Sequence, residues 1–126
     1  MKPTARPDMK QIFARIRQAM GRVPSALEKL ARVDPGMIYE HLRSHAYAMP
    51  SDSPALDDET RTLIYLAAAL ASSSQSCVRA TVDKAKIQGI PREKILETVR
   101  ITRFAMATKV VSDAESVFEA LEQFDQ

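Results

Sequence analysis

The stretch that decides the fold is Leu63-Ile64-Tyr65-Leu66-Ala67-Ala68-Ala69-Leu70-Ala71, the longest apolar run in the sequence. It is about half as long as the roughly 18 residues that a membrane span requires. We interpret it as a helix that is apolar on nearly every side, which belongs in the centre of a bundle or in a subunit interface. So small a domain does not need such a helix inside one subunit, and we therefore expect a homo-oligomer.

The sequence on both sides of this run has helical periodicity. Apolar residues recur at three- and four-residue steps from Met9 to Met20. We predict helices that begin near residues 8, 25, 35, 57, 75, 91 and 112. No stretch alternates between polar and apolar residues for long enough to predict a strand. The predicted fold class is all-α: a single-domain helical bundle of about six to seven helices over residues 1–126.

Polar residues mark where these helices begin and end. Three pairs have the spacing of a capping box: Asp8 with Gln11, Ser25 with Glu28, and Ser112 with Glu115. Asp34-Pro35 predicts an N-cap followed by proline at the first helical position. Gly89 is predicted to close the helix that follows the serine-rich turn 72–74. The proline-rich segment 49–54 predicts a loop between two helical sub-bundles.

Charge and composition exclude several classes of protein. The chain carries 18 Lys and Arg residues against 16 Asp and Glu, a net charge of +2, and the two signs are interspersed. A nucleic-acid binder concentrates its positive charge along one face, and the sequence contains no such block. The N-terminal stretch 1–7 is basic, but the apolar segment of a signal peptide does not follow it. We therefore expect a cytoplasmic protein that binds neither nucleic acid nor membrane.

Any thiol chemistry depends on Cys77, because it is the only cysteine. A single cysteine excludes an intramolecular disulfide and a cysteine-rich zinc site. Cys77 lies near the start of a predicted helix, where the helix dipole and the neighbouring Arg79 favour the thiolate. The alternative is a small buried residue in a packed bundle, where free cysteines are common.

The sequence around Cys77 resembles a known family. The segments Arg61-Thr62-Leu63-Ile64 and Ser74-x-x-Cys77, followed by Thr81, Ala85 and Gly89, resemble the core of the carboxymuconolactone decarboxylase-like family, which includes the alkylhydroperoxidase D-like proteins. Gly21-Arg22-Val23-Pro24 upstream resembles the framework of the same family, so the likeness covers most of the chain. The resemblance implies an alkylhydroperoxidase D-like bundle that assembles into trimers or hexamers and uses no organic cofactor.

The sequence departs from the family pattern at three of four functional positions. The usual core has a glutamate before the Leu-Ile pair, a Cys-x-x-Cys motif, and a histidine four residues after the second cysteine. Thr62, Ser74 and Thr81 stand at the glutamate, first-cysteine and histidine positions. Serine cannot resolve a sulfenic acid, and threonine is no general base near neutral pH. The family's dithiol activity is therefore not expected within one chain.

Two histidines are candidate substitutes for the missing base. His41 and His45 are four residues apart and share a helix face. One of them could reach the Cys77 pocket as an auxiliary base; the alternative is two exposed or partly satisfied side chains. We predict no metal site, because a third ligand and an HExxH pattern are absent from the sequence. The sequence also contains a group of side-chain hydroxyls, which either line a small polar pocket or form the hydrogen bonds of turns and helix caps. These residues are Thr62, Ser72, Ser73, Ser74, Ser76 and Thr81.

These observations leave two hypotheses for the function. In the first, a peroxide oxidises Cys77 and an external thiol reduces it, which makes the protein a one-cysteine thiol peroxidase and antioxidant. In the second, the catalytic apparatus is lost, and the former active-site pocket binds a small molecule or a partner. Decarboxylation of a lactone is disfavoured, because the resemblance assigns its proton donor to the missing histidine.

Overall fold

The structure, a computed structural model, describes residues 6–50, 52 and 55–124. Over these residues it contains seven helices and no strand, which confirms the all-α fold class. The helices are α1 (Met9–Met20), α2 (Ser25–Val33), α3 (Pro35–Ala48), α4 (Asp58–Ala71), α5 (Gln75–Ile87), α6 (Arg92–Asp113) and α7 (Glu115–Phe124). Residues 1–5 of the basic N-terminal stretch, and residues 51, 53 and 54 of the predicted loop, lie outside the described residues.

Side-chain caps fix the starts of three helices. Asp8 and Gln11 form the predicted capping box, in which each side chain accepts a hydrogen bond from the backbone N–H of the other. Asp34 caps α3, with Pro35 at the first helical position as predicted. Asp57 caps α4. Each cap satisfies a backbone donor that has no partner within its own helix.

Two of the predicted capping boxes are wrong. Pro24 takes the N-cap position of α2 with φ −56° and ψ 136°, and Ser25 is the first helical residue. Ser112 lies inside α6, which continues to Asp113, and α7 begins only at Glu115. The physical reason is shared: a serine caps a helix only when its own backbone is non-helical, and both serines have helical backbones.

Helix α4 lies at the centre of the described bundle. It packs against α5 and α6, while α1 packs against α5 and α2 against α3. Leu66 and Ala69 of α4 are only 2% and 4% exposed. Ile64 and Tyr65 in the same apolar run are 53% and 43% exposed. The run therefore supplies part of the core and also an apolar outer face.

A tight serine turn joins α4 to α5. Ser73 adopts the left-handed backbone conformation, with φ 60°. The N–H of Ser74 donates to the carbonyl of Ala69 at 3.0 Å, and the N–H of Ser73 donates to that of Leu70 at 3.2 Å. This is a Schellman pattern, in which glycine is the usual left-handed residue. The turn places Ser74 at the N-cap position of α5.

The end of α5 has the same pattern with glycine. Gly89 has φ 71°, and the N–H of the following Ile90 donates to the carbonyl of Ala85 at 3.0 Å. The prediction that Gly89 closes this helix is confirmed. Since Ile90 is buried, the connection to α6 is anchored in the core.

The C-terminal part of the chain extends away from the bundle. From Arg103 to Phe124, every side chain except that of Ala114 is exposed. We call residues 103–124 the C-terminal arm. Although the arm carries many apolar side chains, no helix in the described part of the chain is long and apolar enough to cross a membrane.

Candidate thiol site

Cys77 lies in the first turn of α5. Since Ser74 is the N-cap residue, Cys77 is the third helical residue, and its side chain is half-buried. The backbone N–H groups in the first turn of a helix have no helical partner, and the macrodipole places a partial positive charge there. The thiol is therefore within reach of solvent, in a position that favours a negative charge.

A tyrosine of the preceding helix contacts this thiol. The Tyr65 hydroxyl lies 3.5 Å from Sγ of Cys77 and donates a hydrogen bond to it. Sequence reasoning missed Tyr65, because this residue lies within the apolar run 63–71. The one indication in the sequence was a phenol in an otherwise aliphatic stretch, since a buried or half-buried tyrosine hydroxyl usually has a hydrogen-bond partner.

Hydroxyl groups lower the pKa of Cys77. Ser74 has the largest effect, followed by Tyr65, while partial burial acts in the opposite direction and Ser76 adds a smaller lowering. Tyr65 has hydrogen-bond geometry to Sγ, whereas the two serines act as nearby hydroxyls of the same turn. Hydrogen bonds to a thiolate stabilise its charged form. Arg79, which the sequence suggested as a further influence, is exposed and is not among the groups that shift this pKa.

The same contact has the opposite effect on the tyrosine. Its hydrogen bond to Cys77, together with partial burial, raises the pKa of Tyr65. The phenol therefore keeps its proton over the range in which the thiol loses its own. The pair consists of a hydrogen-bond donor and a thiolate acceptor.

Thr62 and Thr81 use their hydroxyls for other hydrogen bonds. Thr62 is 1% exposed, and its hydroxyl lies 2.9 Å from the carbonyl of Asp58 and 2.8 Å from Oε1 of Gln88. The single hydrogen of the Thr62 hydroxyl can bond to only one of these two acceptors at a time. The Thr81 hydroxyl donates to the backbone carbonyl of Cys77 at 2.6 Å. Neither hydroxyl contacts the thiol itself, so these two positions supply it with no base.

The two histidines of α3 lie in a cationic environment. Both His41 and His45 are exposed. Partial burial, Lys84 of α5 and His41 together lower the pKa of His45. Within the described residues, no hydrogen bond joins either ring to Cys77, and neither ring is among the groups that shift its pKa. The same part of the chain holds no group of three or more side chains that could bind a metal ion.

An apolar cleft of about 290 Å³ lies beside Tyr65. Arg61, which is 7% exposed, contributes a charged group to its wall and donates hydrogen bonds to the carbonyl of Leu56 and the carboxylate of Asp58. Tyr65 therefore has two roles, because its side chain lines the cleft while its hydroxyl contacts Cys77. The other lining residues are Ala48, Met49, Pro50, Ala55, Leu56, Ile64 and Ala68.

A comparison with known protein families places this site in context. The model of the carboxymuconolactone decarboxylase family matches residues 38–120, about two thirds of the chain. The chain belongs to the carboxymuconolactone decarboxylase family. No curated protein matches it. The matched region contains the Cys77 site and most of the C-terminal arm.

The site differs from the pattern that the resemblance to the carboxymuconolactone decarboxylase family implies. Of the four functional positions, Cys77 alone keeps the family's residue type. The Thr62 hydroxyl of α4 lies within hydrogen-bond distance of Gln88, the residue that ends α5, and the Thr81 hydroxyl donates to a carbonyl of its own helix. Ser74 lowers the pKa of the thiol but cannot form a disulfide with it. At the two positions to which the resemblance assigns proton transfer, the chain has hydroxyls that bond to neighbouring groups of the fold.

Proposed function

We propose that this protein is a one-cysteine thiol peroxidase in which Cys77 attacks the peroxide. The main support is the contact at 3.5 Å between the Tyr65 hydroxyl and a half-buried thiol whose pKa is lowered. Reactive cysteines have accessible thiols in surroundings that stabilise the thiolate, whereas structural cysteines are buried in apolar surroundings. Cys77 matches the first description.

The proposed reaction has two stages. The Cys77 thiolate attacks the outer oxygen of a hydroperoxide, so that an S–O bond forms, the O–O bond breaks, and the leaving alkoxide takes up a proton to become an alcohol. The resulting sulfenic acid reacts with an external thiol, which releases water and leaves a mixed disulfide. A second external thiol regenerates Cys77. The hydroperoxide is the oxidant, and the two external thiols supply the electrons.

Tyr65 has a defined part in this scheme. Because the pKa of its phenol is raised, the hydroxyl stays protonated near neutral pH. It donates to the thiolate before the attack and is close enough to stabilise negative charge on the leaving oxygen during it. Ser74 stands where a resolving cysteine would be needed, so the reductant has to come from outside the chain.

The cleft beside Tyr65 favours an organic hydroperoxide as the substrate. A volume of about 290 Å³ with mainly aliphatic walls suits an apolar body attached to the peroxide group. The guanidinium of Arg61 already bonds to Leu56 and Asp58. We therefore expect substrate selection by shape and apolar contact rather than by charge.

The experiment that tests this proposal is the trapping of the sulfenic acid. Reduced protein is mixed with cumene hydroperoxide and dimedone, and the peptide that contains Cys77 is analysed by mass spectrometry. The proposal predicts a dimedone adduct at Cys77, together with continued consumption of the hydroperoxide when dithiothreitol is supplied. Cys77→Ser is the matched control, which should show neither. A wild-type protein without adduct and without turnover would contradict the proposal.

A second candidate function is that of a binding protein without catalysis. It is favoured by Thr62 and Thr81, whose hydroxyls bond to neighbouring groups of the fold and not to the thiol. In this case the cleft beside Tyr65 holds a small molecule or a partner. The wild-type protein would then consume no hydroperoxide, and a ligand that raises its melting temperature would raise that of Cys77→Ser equally.

We assign the proposed activity to the cytoplasm. A cycle with one cysteine needs a steady supply of reduced thiols, and the cytosol keeps thiols reduced. Fractionation of cells that express the tagged full chain tests this assignment, since recovery in an oxidising compartment would contradict it.

A further inference from the structure

One face of α4 forms a wall of the cleft beside Tyr65. Ile64, Tyr65 and Ala68 follow Arg61 by three, four and seven residues, and all four residues line the cleft. This spacing places them on the same side of the helix. At a rise of about 1.5 Å per residue, the wall runs for about 10 Å along α4. Because the Tyr65 hydroxyl also contacts Cys77, the wall extends to both sides of the residue that contacts the thiol.

The segment just before α4 forms another part of the cleft wall. Ala55 and Leu56 line the cleft, and Asp57, the N-cap residue of α4, follows them. Both lining residues are exposed and lie outside the helices. A connecting segment is more mobile than the helices it joins unless specific contacts hold it. The shape of the cleft at this end therefore depends on what holds Leu56 to α4.

Arg61 connects this segment to the helix. Its guanidinium donates hydrogen bonds to the carbonyl of Leu56 and to the carboxylate of Asp58, and its side chain is only 8% exposed. Among the described residues, no other group donates to the Leu56 carbonyl. The side chain of Asp58 is 66% exposed, so water can solvate its carboxylate without the arginine. Removing the guanidinium therefore removes a bond that holds Leu56 to α4 and leaves no buried charge unpaired.

Arg61 acts on the cleft rather than on the thiol. It is one helical turn away from Tyr65, and it is not among the groups that shift the pKa of Cys77. Its hydrogen bonds go to Leu56 and Asp58 instead. Charge-assisted hydrogen bonds from a planar guanidinium are strong and have fixed directions. These are the properties of a residue that positions the wall of a site.

We propose that Arg61 is a positioning residue, which fixes the width of the cleft by holding Leu56 to α4 and so favours organic hydroperoxides over hydrogen peroxide. This inference rests on the proposed peroxidase function. The cleft volume of about 290 Å³ is at the lower limit of ligand sites, about 300–1,000 Å³, so a small apolar body fills it and a wider cleft loses contact with that body. Because the body does not react, the lost contacts weaken the ground state and the transition state equally. Such a loss raises KM and leaves kcat unchanged.

Steady-state kinetics with dithiothreitol as the reductant test the role of Arg61. For Arg61→Met, KM for cumene hydroperoxide should rise by about 4- to 15-fold, as expected when one or two methylene groups lose their contact with the wall. Its kcat, and both constants for hydrogen peroxide, should stay within about two-fold of the wild type. Arg61→Lys can keep one of the two hydrogen bonds and should give an intermediate KM. Arg79→Met is the matched control, because Arg79 is exposed on α5 and is not among the described residues that line the cleft; its constants should not change.

Filling the cleft tests separately where the substrate lies. Ala68→Leu adds three carbon atoms to the wall, at the end away from Arg61. KM for cumene hydroperoxide should rise by about ten-fold or more, KM for the smaller tert-butyl hydroperoxide should rise less, and KM for hydrogen peroxide should not change. Ala71→Leu is the matched control, because Ala71 is exposed at the end of α4 and is not among the described residues that line the cleft. If Arg61→Met does not fold, Arg61→Lys decides.

An unreactive analogue separates this inference from the proposed function. The alcohol 2-phenyl-2-propanol has the apolar body of cumene hydroperoxide without the O–O bond, and its dissociation constant follows from the rise in melting temperature. Arg61→Met should raise that constant by the same factor as KM. If the wild type consumes no hydroperoxide, the proposed function fails, and the alcohol alone decides about Arg61. The inference is overturned by equal binding of the alcohol to both proteins, by an unchanged KM for cumene hydroperoxide, by a change in kcat instead of KM, or by equal effects on both peroxides.

Discussion

Replacing Tyr65 with phenylalanine removes the donor to the Cys77 thiolate and keeps the ring. A hydrogen bond to a charged group contributes about 1.5–3 kcal/mol. Solvent screens this contact, because Tyr65 is 43% exposed, so we expect less, about 0.7–1.4 kcal/mol. Since about 1.4 kcal/mol corresponds to one unit of pKa, Tyr65→Phe should raise the pKa of Cys77 by about 0.5–1.

The higher pKa affects the alkylation rate in two opposite ways. Below the pKa, the thiolate fraction falls by about three- to ten-fold. The remaining thiolate is more nucleophilic, with a Brønsted coefficient of about 0.4–0.5, which compensates in part. The net expectation is alkylation that is about two- to four-fold slower at low pH, with a faster plateau at high pH.

Alkylation by iodoacetamide, followed by intact mass over a series of pH values, measures both the rate at low pH and the plateau rate at high pH. Tyr47→Phe is the matched control, because Tyr47 is 91% exposed on α3, and its profile should coincide with that of the wild type. A Tyr65→Phe profile that also coincides with the wild type, or moves to lower pH, would refute the reasoning. Ser74, which has the largest effect on this pKa, would then account for the acidity of the thiol.

Four further predictions concern the bundle and the turn beside the thiol. Ser74→Cys restores a Cys-x-x-Cys spacing, and oxidation should give a disulfide with Cys77, measured as the loss of two hydrogens in intact mass; two persistently free thiols would contradict this. Ser73→Gly removes a left-handed side chain that costs about 1–2 kcal/mol and adds a chain-entropy cost of about 0.5–1 kcal/mol, so urea unfolding should show a net gain of up to about 1.5 kcal/mol. Thr62→Val should lower the free energy of unfolding by about 0.5–1.5 kcal/mol without changing the alkylation of Cys77, and a slower alkylation would mean that Thr62 does act on the thiol. Leu66→Ala should cost about 2–5 kcal/mol in the same urea assay, whereas a cost below about 1 kcal/mol would show that α4 is not central.

The helical framework could be predicted because its determinants are local. The capping box at Asp8, the Asp34-Pro35 start and the left-handed Gly89 all act within a few residues, and the structure contains each of them. The same local reasoning failed at Ser25 and Ser112. A Ser-x-x-Glu spacing does not determine whether the backbone at the serine is helical, and that depends on the preceding residues.

The thiol site could be predicted only in part, because it depends on how two helices face each other. The sequence placed Cys77 at a helix start, but the partner Tyr65 depends on the rotation that the turn at Ser73 imposes on α4 and α5. His41 and His45 share a face, as their spacing predicts, yet spacing does not determine which helix that face meets.

The short separation between Tyr65 and Cys77 affects the stage of biosynthesis at which the thiol site can form. The two residues are 12 positions apart, and a helix–turn–helix unit forms through short-range contacts, which fold fast. The C-terminal arm follows Cys77 in the chain and leaves the ribosome after it. A growing chain can therefore form the contact between Tyr65 and Cys77 before the exposed apolar side chains of the arm have been made. Under the proposed function, Cys77 of a growing chain would already react with oxidants, and external thiols would be needed to reduce it at that stage.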